Sequence, residues 1–458
     1  MKPIQLKQET KKILYLLAPM TIAGFVDASP GFINNIMLAH LGASKLAAGA
    51  LVSMLFSTLV MLFYGVFATV STLVAHHYGA SNRSQIAAIV RDAMIIALII
   101  SLPVMWFVWN AADVLPYLGQ KADTIPLARS YLHGLTFSVI PDFTTIILWQ
   151  FFLGIGRPRV TLVGSLLYVP INILANYSLI FGKFGLPRLE MMGVGLGNTI
   201  GFTVVLIGLL LYMVYSNQYR AYFKLDYLKE KQQYFKELFH LGLPTGFMWL
   251  IELLFGCVLA IFMGKVSLAT LAAHQIAMQT LIFAFVVISC TAQAVTVRMG
   301  HCIGSRQTAG LSSICVSGVL VITFYTLCTD IIYLFFPHFI IGLDFNLADP
   351  KNQEIIGLAV KFLAALAFVQ LFDGMRFTLF GALRGMKDTT FSFLVSVLVF
   401  FGLAVPSGYI AVFILHRPAL DFWICLGFSV AVGAFLLACR CSVMIKRVML
   451  RTPALANS

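Results

Sequence analysis

Charge is what this chain of 458 residues has least of: Asp, Glu, Lys and Arg together make up 11%, where a soluble domain carries about 25%. It also lacks any polar stretch much longer than roughly two dozen residues, too short to build an independent soluble core. Cysteine is absent before residue 257. The eight that follow (Cys257, Cys290, Cys302, Cys315, Cys328, Cys425, Cys439 and Cys441) form no CxxC pair and no Cys/His cluster with metal-ligand spacing. A disulfide scaffold is excluded, and these residues read as free thiols filling apolar space. No GxxxxGK[ST] loop is present to cradle phosphates, no HExxH helix to hold zinc, and no paired Asp-rich motif for prenyl transfer. ATP hydrolysis by a phosphate loop and zinc proteolysis are thereby excluded, and an intramembrane enzyme stays only as an alternative.

What is present is apolar. Hydrophobic residues make up 60% of the chain, and the mean hydropathy is +0.92. A bilayer's hydrocarbon core demands about 20 apolar residues per helix, and runs of that length recur from end to end. Segmentation at turn residues gives twelve spans, near 13–38, 46–75, 86–110, 127–153, 159–182, 192–215, 238–263, 271–299, 309–336, 354–382, 390–414 and 419–445. The first run extends for roughly 25 residues without a small-residue cleavage site, so it reads as a span and not as a cleavable signal. The fold class expected is an all-α polytopic membrane protein.

The formal net charge of +13 suggests a nucleic-acid partner until the cations are mapped. Of the 31 Lys and Arg, 21 fall at the two ends and in alternate loops, among them Lys11, Lys12, Arg83, Arg157, Lys229, Arg306, Lys387 and Arg447. The opposite loops hold eight, and Lys361 and Arg376 fall inside a span. This asymmetry is the positive-inside pattern. It puts both termini in the cytoplasm and leaves no nucleic-acid footprint.

Between the sixth and seventh spans lies the most polar interior stretch, Ser216 to Lys236. It reads as a cytoplasmic linker between an N-terminal lobe, 1–215, and a C-terminal lobe, 237–458. The lobes are repeats. At an offset of 225, Pro19 matches Pro244, Leu46-Ala47-Ala48 matches Leu271-Ala272-Ala273, His76 matches His301 and Gly79 matches Gly304; at 231, Gly154 matches Gly385. Six spans per lobe give both lobes one orientation, so the axis relating them runs along the membrane normal. Transporters built this way bind near the midplane, between their repeats.

Ionisable groups inside apolar spans are costly and are functional candidates by default. They are Asp27, Asp142, Glu252, Asp330 and Asp373, with Arg376 one turn after Asp373. The repeat relates Asp27 to Glu252 and Asp142 to Asp373. Such carboxylates exchange a proton, hold Na+, or bind a cationic substrate, unless each is simply paired with a nearby base or hydroxyl. Arg376, at i+3, is the obvious partner for Asp373. Asp330 lies near the exit of its span and reads as a solvated end residue. Asn34, Asn35, Asn172, Asn176, Asn198, Gln150 and Gln279 are amides in or near spans, suited to ligand contact or to holding helices together. The five Trp read mostly as interfacial anchors.

Several stretches resemble the multidrug and toxic compound extrusion (MATE) family, in its bacterial NorM-type branch. They are Leu17-Ala18-Pro19, Gly31 to Met37 (GFINNIM), Pro170 to Gly193, Leu271 to Ile276 (LAAHQI) and Gly381 to Thr389 (GALRGMKDT). The resemblance implies a twelve-helix secondary antiporter in a bacterial inner membrane, exporting organic cations in exchange for Na+ or H+, with no cofactor. Its membrane acids fall on Glu252 and Asp373, which would serve as coupling residues and as Na+ ligands. The family's first-helix acid falls on Asn34, with Asp27 two turns earlier on nearly the same face. The expected ion-coupling set is therefore Glu252, Asp373, Asp27 and Asn34. The expected substrate-binding set is Asp142, Glu252, Asp373, Asn172, Asn176, Gln279 and Arg376. The partners expected are small organic cations and membrane lipid, around a monomer. A lipid-linked precursor flippase of the same superfamily and a permease subunit driven by a separate ATPase remain alternatives.

Overall fold

The computed structural model describes residues 3–220, 222 and 233–451, so most of the expected linker lies outside the described residues. The described chain is helical. In the first repeat α1 is Pro3–His40, α2 Ala43–Gly79, α3 Arg83–Asn110, α4 Thr124–Thr136, α5 Val139–Gly154, α6 Pro158–Phe181 and α7 Glu190–Tyr215. In the second, α8 is Phe235–Val266, α9 Leu268–Gly304, α10 Leu311–Phe335, α11 Gln353–Gly385, α12 Thr390–Ile414 and α13 Leu420–Arg451.

Eleven of these spans are long and apolar enough to cross a membrane, and the pair α4 and α5, bent by 50°, supplies the twelfth. The bend follows from the residues at the break. Pro141 has no N–H for the carbonyl of Phe137 and its ring crowds that carbonyl. Thr136 and Ser138 also turn their hydroxyls onto the carbonyls of Leu132 and Leu135. In α12, Pro406 is flanked by π-helical stretches, Leu398–Ala404 and Ile410–Ile414, the usual way a proline is absorbed inside a span.

The repeat is written into the turns. After α2, Ser81 adopts a left-handed φ of 56°, and after α9 its counterpart Arg306 has 60°; Gly156 after α5 (73°) corresponds to Lys387 after α11 (64°). The contacts repeat as well. A Cβ on Gly154 would stand 2.7 Å from Val74 and 2.9 Å from the Ser71 carbonyl, while one on Gly385 would stand 2.5 Å from Met299 and 2.9 Å from the Thr296 carbonyl. Val74 and Met299, like Ser71 and Thr296, are one repeat apart. The close crossings of α2 with α5 and of α9 with α11 are therefore one design used twice.

The compact units of the fold are Met1–Leu17 with Phe247–Ser458, and Ala18–Gly246. Each repeat's first helix thus begins in one unit and continues into the other, changing over beside the repeat-related Pro19 and Pro244. The opening turns of α1 are held in the first of these units by Glu9, which takes three bonds of 2.8–3.1 Å from Arg298, and by Ser317, which donates to the Leu6 carbonyl at 3.2 Å. The start of α8 is held in the other unit by Asp92, which accepts the N–H groups of Gln233 (3.0 Å) and Tyr234 (3.1 Å). Asp92 and Ser317 are again one repeat apart. Not every tryptophan is interfacial: Trp423 is fully buried against Phe362 and His274, a core position that apolar surroundings on α13 and α11 create.

Candidate functional site

In the second repeat two helices bring charge together and a third adds a hydroxyl. Asp373 and Arg376 lie one turn apart on α11, the spacing that puts both on one face. Arg376 donates Nε to Asp373 Oδ1 at 2.8 Å, Nη2 to Glu252 Oε1 on α8 at 2.9 Å, and Nη1 to Ser396 Oγ on α12 at 3.2 Å. The guanidinium is 1% exposed and lies 5.1 Å from the ring centre of Phe400 and 5.9 Å from that of Phe377. Gly433 on α13 leaves the room it needs, since a Cβ there would stand 3.3 Å from Arg376 Cδ. Two carboxylates around one guanidinium leave a single negative charge in a nearly dry setting. Such a group is a poor source of stability, because desolvation offsets most of the Coulomb attraction, but it is very sensitive to loss of one member.

The first repeat builds the corresponding place differently. Tyr64 on α2 donates to Asp142 Oδ2 at 2.9 Å, and Asp142 Oδ1 has no partner. Phe143 packs beside it against Phe67 and Phe63. Asp27 on α1 is exposed and lies beside the buried hydroxyl of Ser165. Tyr64 and Tyr168 lie within electrostatic reach of both acids. Among the described residues neither acid has a basic partner. The residue at Arg376's position in this repeat is Thr145, fully buried with an unpartnered hydroxyl.

Beside these acids runs a ladder of amides. Asn176 Nδ2 donates to Asn34 Oδ1 (2.7 Å) and Asn172 Oδ1 (3.1 Å), and Asn172 Nδ2 donates to Asn198 Oδ1 (2.6 Å), which also accepts from the Tyr168 hydroxyl at 3.3 Å. Asn34, Asn172 and Asn176 are buried. The ladder requires glycine on α7, because a Cβ on Gly197 would stand 1.7 Å from Asn176 Oδ1.

The expected residues thus fall into three groups. Glu252, Asp373 and Arg376 meet directly; Asn34, Asn172 and Asn176 form the ladder; Asp27 and Asp142 share the Tyr64–Tyr168 surroundings. Gln279 stands exposed on α9, outside these hydrogen-bonded groups. Asp330 is not a solvated end residue: it is 7% exposed, because α10 runs on past it and packs along α11. Sequence reasoning missed Tyr64, Tyr168 and Ser396. A signal for the last existed, since Ser396 is Ser165 shifted by 231. A separate apolar cavity of about 650 Å³ between α6 and α7, lined by Val163, Leu167, Ile171 and Val204, has no acid in its wall.

The MatE family profile matches residues 19–178 and 244–410, one match per repeat. The chain is 33% identical over 434 residues to a probable multidrug resistance protein NorM of a Synechococcus species, covering 94% of each. It is 29% identical over 420 residues to the protein of the same name from a Synechocystis species, covering 92% of this chain and 91% of that one. Among solved structures it superposes on an outward-facing multidrug resistance MATE family transporter of the MOP superfamily, with a TM-score of 0.85 at 18% identity, over 98% of this chain and 99% of the other. The expectation of a twelve-span MATE fold is met, and the enzyme alternative falls with it. The chain belongs to the MatE family of multi-pass membrane transporters.

Proposed function

We propose that this transporter is a secondary active multidrug efflux antiporter, exporting organic, lipophilic cations in exchange for Na+ or H+ and coupling the two at Glu252 and Asp373. The observation that carries the reading is that one guanidinium, Arg376, is shared between these two acids. The group already recognises a planar cation by the means an organic cation needs, two carboxylates and two aromatic faces. Its one uncompensated negative charge suits one monovalent ion, whose arrival loosens Arg376 from the acids. Asp27, Asp142 and the Asn34–Asn176–Asn172 ladder give the other repeat a second polar surface for substrate. The names of the relatives support export of several drugs, and the charge asymmetry supports a bacterial inner-membrane location with both termini cytoplasmic. The reading needs no cofactor and no second subunit.

Efflux of cationic and anionic dyes from inverted vesicles, under separately imposed Na+ and H+ gradients, tests this. Glu252→Gln and Asp373→Asn keep shape and remove charge, so each should abolish gradient-driven transport of cations while the protein remains monodisperse. Unimpaired transport by both variants would remove these acids from the mechanism. A preference for anions would revive the flippase reading.

A further inference from the structure

Below the apolar surface of α10 runs a polar stripe, Thr323, Thr326, Thr329, Asp330 and Tyr333, at spacings that keep it near one face of the helix. It faces α11, and the approach is close: a Cβ on Gly374 would stand 3.0 Å from Ile322 and 3.1 Å from Thr326. At the upper end of the stripe Gln370, fully buried, donates Nε2 to Thr329 Oγ1 at 2.6 Å. Its Oε1 receives no hydrogen bond, and neither do the buried Oδ1 of Asp330 and Oγ1 of Thr323. Tyr333, also buried, lies beside Thr329 and Gln370 and within electrostatic reach of Asp330.

More than about 90% of buried polar groups in folded proteins are hydrogen-bonded, and each orphan costs roughly 1–3 kcal/mol, more when charged. The orphaned Asp330 Oδ1 and Gln370 Oε1, on two residues that both neighbour Tyr333, therefore describe a ligand by what they lack. The unsatisfied carboxylate and amide atoms are acceptors, so the missing species is electropositive. No side chain among the described residues supplies it. Arg376 is engaged by Glu252 and Asp373, Lys361 is exposed nine positions before Gln370 on α11, and Asp330 has no ion pair among the described residues. The titratable groups facing Asp330 are Tyr333 and, beyond it, Tyr325, both on α10. At this level α11 presents the amide of Gln370, and His338, on the short helix Pro337–Ile341, is exposed.

We propose that Asp330, with Gln370, Thr329 and Tyr333, is a binding site for a monovalent cation, Na+ or H+, separate from the Glu252–Arg376–Asp373 group. A single carboxylate neutralises one positive charge, so a divalent ion would leave a bare charge among apolar helices, which the surroundings do not tolerate. The neutral oxygens of Gln370 and Thr329 complete a desolvated Na+ shell. Alternatively a proton on Asp330 gives the carboxyl a donor for the Gln370 carbonyl. Gln370 and Asp373 lie one turn apart on α11, so a cation held at Asp330 sits one helical turn from the coupling acids.

The test uses full-length protein in detergent carrying Glu252→Gln, Asp373→Asn and Arg376→Gln, which silences that charged group without leaving its guanidinium bare; Asp27 and Asp142 stay in every variant, so their signals cancel in the comparison. Binding of radioactive Na+ reads one arm, and the protonated-carboxyl band in pH-step infrared difference spectra reads the other. This background should keep either saturable Na+ binding or a carboxyl band, and adding Asp330→Asn should remove it. Gln370→Met, which keeps the charge and the helix, should weaken Na+ binding about tenfold or shift the band, and it carries the test if Asp330→Asn yields no monodisperse protein. Identical readings with and without these changes, or no cation in the background, would overturn the proposal. Transport by the Glu252/Asp373 double variant would sink the coupling reading and leave this result untouched.

Discussion

In the second repeat Glu252 and Asp373 close around Arg376, with Ser396 completing the guanidinium's contacts. In the first, the related Asp27 and Asp142 meet hydroxyls alone, and Thr145 stands where the arginine would be. The backbone frame is the same in both, down to the left-handed turns and the Gly154 and Gly385 crossings. Duplication has kept the helix packing, which steric fit enforces at every contact, while the charge inside has diverged. One repeat's acids hold a cation of their own; among the described residues the other's two acids and neutral amide ladder hold none. A transporter with two such unequal interiors can give ion and substrate different preferred places without two different folds.

Arg376→Gln strikes this difference hardest. It leaves Glu252 and Asp373 without their counter-charge, and breaking a buried ion pair from one side costs about 3–5 kcal/mol. The loss should be large in choline chloride and substantially recovered in NaCl, because Na+ can take the vacated place. Thermal unfolding of purified protein in the two salts measures it. Wild-type stability without Na+ would mean that Arg376 is not the neutralising group. The reciprocal change, Thr145→Arg, should be tolerated better than a buried arginine usually is, because Asp142 is there to receive it.

Asn176→Ala acts on the neutral ladder. It strips the donor from Asn34 Oδ1 and Asn172 Oδ1, and unsatisfied buried acceptors cost roughly 1–3 kcal/mol. No net charge changes, so this loss should be the same in NaCl and in choline chloride. If it proves strongly dependent on Na+, the ladder itself holds an ion and the contrast between the repeats dissolves.

How much of this could be read beforehand depends on the distance over which each feature is determined. Spans are local, fixed by runs of apolar residues, and the repeat is visible because glycine and proline at close crossings tolerate few replacements. Asp373 and Arg376 were legible as a pair because helix geometry alone joins i and i+3. Glu252, 124 positions away, joins them only through packing that no periodicity reveals. Asp330 was misread because nearness to a span end was taken for solvent, whereas α10 continues and lies against α11. The changeover of α1 and α8 between units was invisible for a similar reason: an apolar helix does not state which neighbour its first turns will meet. The bend between α4 and α5 was within reach, since Pro141 marks it.

The smallest expected effect compares the turns after α5 and α11. Gly156 and Lys387 hold the same left-handed conformation, φ 73° and 64°, yet only glycine adopts it without a Cβ clash. For an L side chain that conformation costs about 1–2 kcal/mol, while glycine loses roughly 0.5–1 kcal/mol more backbone entropy on folding. The difference predicts that Gly156→Ala destabilises by about 0.5–1 kcal/mol and that Lys387→Gly gives a gain no larger. The gain is capped because Lys387 makes a further interaction that the substitution can disturb. Arg306→Gly and Ser81→Gly, at the other related pair of turns, should follow the same rule. Paired unfolding measurements on Gly156→Ala and Lys387→Gly give the two signs. Opposite signs support one shared turn geometry under different sequence. A neutral Gly156→Ala would mean that this turn relaxes out of the left-handed region, and that the likeness of the two repeats ends at their helices.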